Sequence, residues 1–186
     1  LQQHVSYCLF GSKKHLMNEL FEKKNLPFYK FGDAIYLTKI ETKYWIEYIC
    51  KRFENTGKHI SPELAEEICR LVDNHSSYVQ QLSWLLWIRT INTATTEQLT
   101  YALEDLLDQN NILFQSETEN LSAYQMNFLK AIVDGIHTKF SSKEVISKYN
   151  LGTSANIVRL KNALLQKELI ETNGKEIVLA DPVFGV

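Results

Sequence analysis

Apolar positions along this chain change their spacing twice, and those changes divide it into three parts. The opening stretch VSYCLFGSKKHLM, residues 5–17, starts as a continuous apolar run and turns basic after Gly11 and Ser12. That is the pattern of a short buried strand feeding a helix start. Leu16, Leu20 and Phe21 keep helical spacing until Pro27 interrupts it, and in FYKFGDAIYLTKI the Gly32-Asp33 pair marks a turn before a second strand-like run.

From residue 38 the spacing becomes helical. Thr38 with Glu41 makes a capping-box pattern ahead of KYWIEYICKRFEN, whose Trp45, Ile46, Ile49, Cys50 and Phe53 form one apolar side, and Gly57 suits the stop. Ser61-Pro62 supplies an N-cap and a first-position proline for a helix with Leu64, Ala65, Ile68, Cys69 and Leu71 inward. SYVQQLSWLLWIRTI is apolar around most of its circumference, which predicts a central helix with Trp84 and Trp87 in the core. TEQLTYALEDLLDQNN points Leu99, Ala102, Leu103, Leu106 and Leu107 inward and its acids outward, and the polar stretch QSETEN at 115–120 reads as a linker. Residues 38–114 are therefore expected to form a small helical bundle.

Beyond the linker the pattern changes again. Ser122 with Gln125 caps YQMNFLKAIVDGI, Ser141 with Glu144 caps KEVISKYN, Gly152 makes a turn, and SANIVRLKNALLQKELI carries Ile157, Leu160, Ala163, Leu164 and Leu165 near one face. LIETNGKEIVLA then places two short β-type runs around Asn173-Gly174, a strong hairpin signal. Three helices closed by a hairpin predict a winged helix-turn-helix over 121–186, with 142–168 as the helix-turn-helix and the hairpin as the wing.

Composition narrows the function classes. The 186 residues carry a formal net charge of −2, with 12 Lys/Arg against 16 Asp/Glu in residues 1–120 and 8 against 6 in 121–186. A mildly basic C-terminal part permits nucleic-acid binding without implying it. There is no apolar run long enough to span a bilayer and no secretory leader pattern, so the expected setting is the cytoplasm, with no membrane partner. Cys8, Cys50 and Cys69 are scattered in apolar surroundings and read as small reduced hydrophobes rather than a disulfide or metal framework. Catalytic constellations are missing from the sequence. Gly11-Ser12-Lys13-Lys14 lacks the glycine and spacing of a phosphate-cradling G-x-x-x-x-G-K-[ST] loop, and the five histidines do not pair with one another or with cysteine at ligand spacing. The chain alone is not expected to be a complete enzyme or to hold a metal.

The order of parts resembles the C-terminal portion of the archaeal-type P-loop ATPase family of the AAA-like and STAND group. The residues that carry the resemblance are VSYCLFGSKKHLM, PFYKFGDAIYLTKI, HSSYVQQLSWLLW and the closing LADPVF. It implies a remnant of the α/β nucleotide-binding core over 1–37, a helical lid over 38–114 and a winged helix over 121–186. It also implies that the P-loop, the metal-binding acids and most of the sheet lie upstream, so that Leu1 is a truncated start. The intact parent would bind ATP with Mg²⁺, and this fragment would bind neither tightly. Its partners would be the absent ATPase core and a protein met by the winged helix.

Several site residues follow from the same resemblance. Ser12 stands at the sensor-1 position that monitors the γ-phosphate, with a plain helix N-cap as the competing reading. Lys30 stands where many relatives carry arginine, although lysine lacks the planar guanidinium fork. His75 opens the lid helix that faces nucleotide in relatives, with Ser76 replacing their proline; the competing reading is that His75 only caps that helix.

A second hypothesis takes the chain as a self-contained winged-helix DNA-binding regulator. Asn156 and Arg159 have the chemistry to read adenine and guanine edges, and Lys161, Lys167 and Lys175 to meet phosphates, while Glu168, Glu171 and Glu176 would repel the backbone. A third hypothesis is a pure interaction adaptor.

Overall fold

A computed structural model describes residues 7–11, 17 and 20–185. The chain divides into two compact units, Leu1–Thr38 and Lys39–Val186.

In the first unit, residues 7–11 and 34–38 carry no regular secondary structure, and Phe10, Ile35 and Leu37 are 92%, 85% and 93% exposed. Neither strand expected here forms among the described residues. A strand exists only as part of a ladder of backbone hydrogen bonds, and among the described residues neither run is part of one. The described residues that do order are 20–31. A helical turn at 20–22 leads into turns closed by Leu26 N–H to Lys23 C=O (3.0 Å) and Tyr29 N–H to Leu26 C=O (3.1 Å). Phe28 meets both Phe21 and Phe31 at ring-centroid distances of 6.0 Å.

The second unit begins with a four-helix bundle: α1 (Thr42–Glu54), α2 (Pro62–Leu71), α3 (Ser76–Arg89) and α4 (Thr96–Thr118). Helix α1 is N-capped by Glu41 without a side-chain hydrogen bond, so the Thr38/Glu41 capping box does not form; the helix starts one residue past Glu41 and leaves Thr38 out of reach. Helix α2 starts as expected, with Ser61 accepting from the Leu64 N–H and Pro62 at the first position. Helix α4 opens on a complete Thr95/Gln98 capping box.

Trp45, Ile49 and Phe53 of α1, Ala65, Ile68 and Cys69 of α2, Val79, Leu82 and Leu86 of α3, and Leu99, Ala102 and Leu106 of α4 are buried in one cluster. Each fully buried large apolar side chain of this kind contributes about 1.5–3 kcal/mol. Two loops brace the bundle from one end. His59 N–H donates to Asn92 C=O at 2.7 Å, and Ala94 N–H donates to His59 C=O at 2.8 Å.

Two expectations for the bundle fail. Trp84 is 55% exposed, and Ile88 one turn on is 50% exposed, so the apolar circumference of α3 has a solvent side. A helix at the margin of a small bundle has too few neighbours to cover all its faces. The supposed linker at 115–120 is helical up to Thr118, because α4 runs unbroken for 23 residues. Gln, Ser, Glu and Thr at a helix end are tolerated where backbone hydrogen bonds continue.

The remainder consists of α5 (Ala123–Val133), α6 (Lys143–Tyr149), α7 (Ser154–Gln166) and the antiparallel pair β1 (Ile170–Asn173) and β2 (Glu176–Leu179). The fold is mainly α with a winged helix-turn-helix and a hairpin wing, as the spacing predicts. Ser122 and Gln125 form the expected capping box on α5. The cap of α6 is Ser142, accepting from Val145 N–H, rather than Ser141. Asn173 pairs with Glu176, so the hairpin loop is Gly174-Lys175, one residue later than the Asn-Gly signal implied; Gly174 has φ +62°. Phe128, Leu129 and Ile132 of α5, Ile157, Leu160 and Leu164 of α7, and Ile170 and Ile177 of the wing share a second core, in which Phe128 stacks on Phe140 at 4.4 Å.

Candidate functional site

Those nominated residues that the structure describes belong to the first unit, to the helical bundle and to the winged helix. Ser12 lies outside the described residues. Lys30 lies in the first unit. It is exposed, sits in a left-handed conformation (φ +53°), donates its backbone N–H to Phe21 C=O at 3.1 Å, and holds its ammonium 5.5 Å from the centroid of the Tyr29 ring.

His75 is positioned by an unusual entry into α3. Asp73 and Asn74 both adopt left-handed backbone (φ +47° and +54°), which short polar side chains tolerate best. The entry is pinned to the start of α1: Lys39 pairs with Asp73 at 2.5 Å, and Asn74 Nδ2 donates to Thr42 Oγ1 at 3.1 Å. His75 is the N-cap residue of α3 but makes no side-chain cap hydrogen bond. Its ring instead packs on Tyr78 with centroids 4.8 Å apart, and its Nδ1 is buried without a protein partner.

The cleft beside this entry, about 440 Å³, is lined by Thr42, Glu63, Glu66, Glu67, Cys69, Arg70, Asp73 and Asn74. Its four carboxylates face one guanidinium, and Arg70 is already paired with Glu67 at 2.5 Å. That balance disfavours a phosphate there. Burial pushes the Cys69 thiol up to about 11, which leaves it a poor nucleophile.

On the winged helix, the outward side of α7 presents Ser154, Ala155, Val158, Arg159 and Asn162, with Val158 61% exposed. Arg159 is exposed and Lys161 half-buried; Lys167 is exposed beyond the helix end, and Lys175 is exposed in the hairpin loop beside exposed Glu171 and Glu176. Asn156 is different. Its Nδ2 donates to Leu151 C=O at 3.0 Å, closing the turn between α6 and α7, and it packs beside Gly152 (φ +84°). The amide nominated for adenine is half-buried, and one of its two N–H donors closes a turn of its own fold.

One polar cluster was not foreseen. The Tyr78 hydroxyl on α3 donates to Asp181 Oδ2 at 2.5 Å, across 103 residues of sequence. Burial first, then the Asp181 bond and charge, push the Tyr78 phenol upward, so it stays a donor at every physiological pH. Partial desolvation, followed by the Asp181 charge, also raises the carboxyl of Glu117 near the end of α4. The signal for this cluster is the closing Asp-Pro-Val-Phe, whose aspartate precedes a proline and two apolar residues; only the fold identifies tyrosine as its partner.

Comparison with known proteins agrees with this layout. Residues 112–186 match the family model of a probable winged helix domain. The C-terminal part is a winged helix. The whole fold is similar to the Walker-type ATPase of Pyrococcus abyssi, with a TM-score of 0.67 and 18% identity over 91% of this chain and 49% of that one. The chain thus spans about half the length of that structure. No curated protein matches the sequence. Among the described residues, no helix is long and apolar enough to cross a membrane.

Proposed function

We propose that this chain is the helical-lid and winged-helix module of a P-loop ATPase of the AAA-like and STAND kind. The observation that carries the reading is the fold-level match along 91% of the chain to about half of a Walker-type ATPase. The order of parts supports it: exposed apolar runs at 7–11 and 34–37, then a bundle, then a winged helix. The chain supplies neither a phosphate loop nor, among the described residues, a cluster of metal-binding side chains. ATP and Mg²⁺ would therefore be held by residues outside it, and no chemical step is assigned to the residues present. Its part would be to contribute the sensor side of the nucleotide site, with Ser12 and Lys30 from the core remnant and His75 from the lid, and to move as an output module in the cytoplasm. The unsatisfied Nδ1 of His75 supports a polar partner at that position.

For the winged helix, the outward side of α7, with a single charged group, favours a protein partner over DNA. Val158 and Ala155 flank a single guanidinium there, and three glutamates surround Lys167 and Lys175. The test is nucleotide binding by the parent protein and by this chain, read with a fluorescent ATP analogue and Mg²⁺. The parent should bind and hydrolyse, and lose affinity on His75→Ala or Lys30→Ala, while the isolated chain should hydrolyse no ATP above a buffer blank. A parent that does not bind nucleotide sinks the reading. Duplex-DNA affinity that falls steeply with salt would instead favour a DNA-binding regulator.

A further inference from the structure

After the wing, the chain does not simply end; it crosses back to the bundle. Ala180 N–H still bonds Leu169 C=O of the winged helix at 3.1 Å, and Gly185 lies so close to the wing that an added Cβ would stand 2.7 Å from Leu179 Cδ1 and 3.2 Å from Val133 Cγ2. Between those two anchors, Val183 is 1% exposed and belongs to the core of the bundle. Phe184 packs on the winged-helix core while its ring meets Phe114 of α4 edge-on at 5.3 Å. Asp181 turns the segment by accepting Val183 N–H on Oδ1 at 2.8 Å, and its other oxygen takes the Tyr78 hydroxyl.

We propose that residues 181–184 form a latch that locks the winged helix onto the helical bundle and whose release lets the winged helix move independently. Val183 is the bolt, Tyr78 and Asp181 the polar catch, and Phe184 against Phe114 the hinge-side contact. The winged helix has a closed apolar core of its own, built from α5, α7 and the wing, so it keeps its fold when the latch opens. The short segment 119–122 between α4 and α5 is then the remaining covalent tether. The titratable groups facing the catch are Tyr78 and its neighbour His75 from α3 and Glu117 from α4. This inference does not depend on the ATPase reading.

The test is backbone amide relaxation by NMR on the 186-residue chain, comparing wild type with Val183→Asp, Tyr78→Phe and the conservative Val183→Ile. In wild type, amides of α1–α4 and of α5–α7 should report one common tumbling time. Val183→Asp should separate them into two, with the chemical shifts around Phe128, Leu160 and Leu164 unchanged. Tyr78→Phe should speed hydrogen exchange of the Val183 and Phe184 amides by about tenfold, and Val183→Ile should behave as wild type. A single tumbling time in Val183→Asp would overturn the proposal, because the contact would then not hold the two parts together. Collapse of the Phe128 and Leu164 signals would overturn it equally, because the segment would then belong to the winged-helix fold itself.

Discussion

Asn156 offers the sharpest separation between a structural and a base-reading role. Its Nδ2 is the donor to Leu151 C=O at 3.0 Å, and Leu151 is 0% exposed, so the amide is the partner that this carbonyl has in the fold. Asn156→Ala should therefore leave a buried acceptor unsatisfied, at a cost of about 1–3 kcal/mol. For a chain of this size each kcal/mol shifts Tm by roughly 2–4 °C, so a loss near the middle of that range lowers Tm by about 4–8 °C. Arg159→Ala, on the exposed side of the same helix, should stay within about 0.5 kcal/mol of wild type. Thermal melts followed by circular dichroism, together with duplex-DNA titrations of the three proteins, provide the comparison. If Asn156→Ala melts with wild type but loses DNA affinity, the turn-closing argument is wrong and the residue reads bases.

The other predictions rest on separate features. Leu164→Ala removes a fully buried side chain from the winged-helix core and should cost about 2–5 kcal/mol in denaturant unfolding; a loss below 1 kcal/mol would contradict that burial. Ser122→Ala breaks the capping box of α5 and should cost about 1 kcal/mol, most of it regained by Ser122→Asp. The Glu117 carboxyl is raised in the folded chain, which therefore holds that proton more tightly than the unfolded one, so ionisation opposes the fold as pH climbs past the ordinary value of about 4.3. Glu117→Gln should accordingly raise Tm at pH 7 and leave it unchanged near pH 3.5, and equal shifts at both would refute the sign. With thiol reagents at pH 8, exposed Cys8 should react at once and buried Cys69, its thiol pushed up to about 11, only on unfolding. Fast labelling of Cys69 in the folded chain would show the bundle to be open there.

Local chemistry was enough to determine most of the elements. Ser61-Pro62 and Ser122/Gln125 lie where helices start, because a capping side chain acts within three residues of itself. The inward positions Trp45, Ile49 and Phe53, or Ile157, Leu160 and Leu164, follow from a 3.6-residue period that no distant contact alters. The order of bundle and winged helix was legible for the same reason.

Tertiary structure alone decided the rest. Residues 7–11 and 34–38 have strand-like composition, yet among the described residues neither run forms a strand, because a strand depends on pairing that composition does not supply. Trp84 has a core side chain on a helix face that no neighbour covers. Asn156 has the chemistry of a base reader, but the backbone of the preceding turn claims its amide. The Tyr78–Asp181 bond joins residues 103 apart, so its geometry depends on tertiary packing and not on local sequence. A periodic pattern records which side of an element is apolar; which surface meets that side depends on packing between elements distant in sequence.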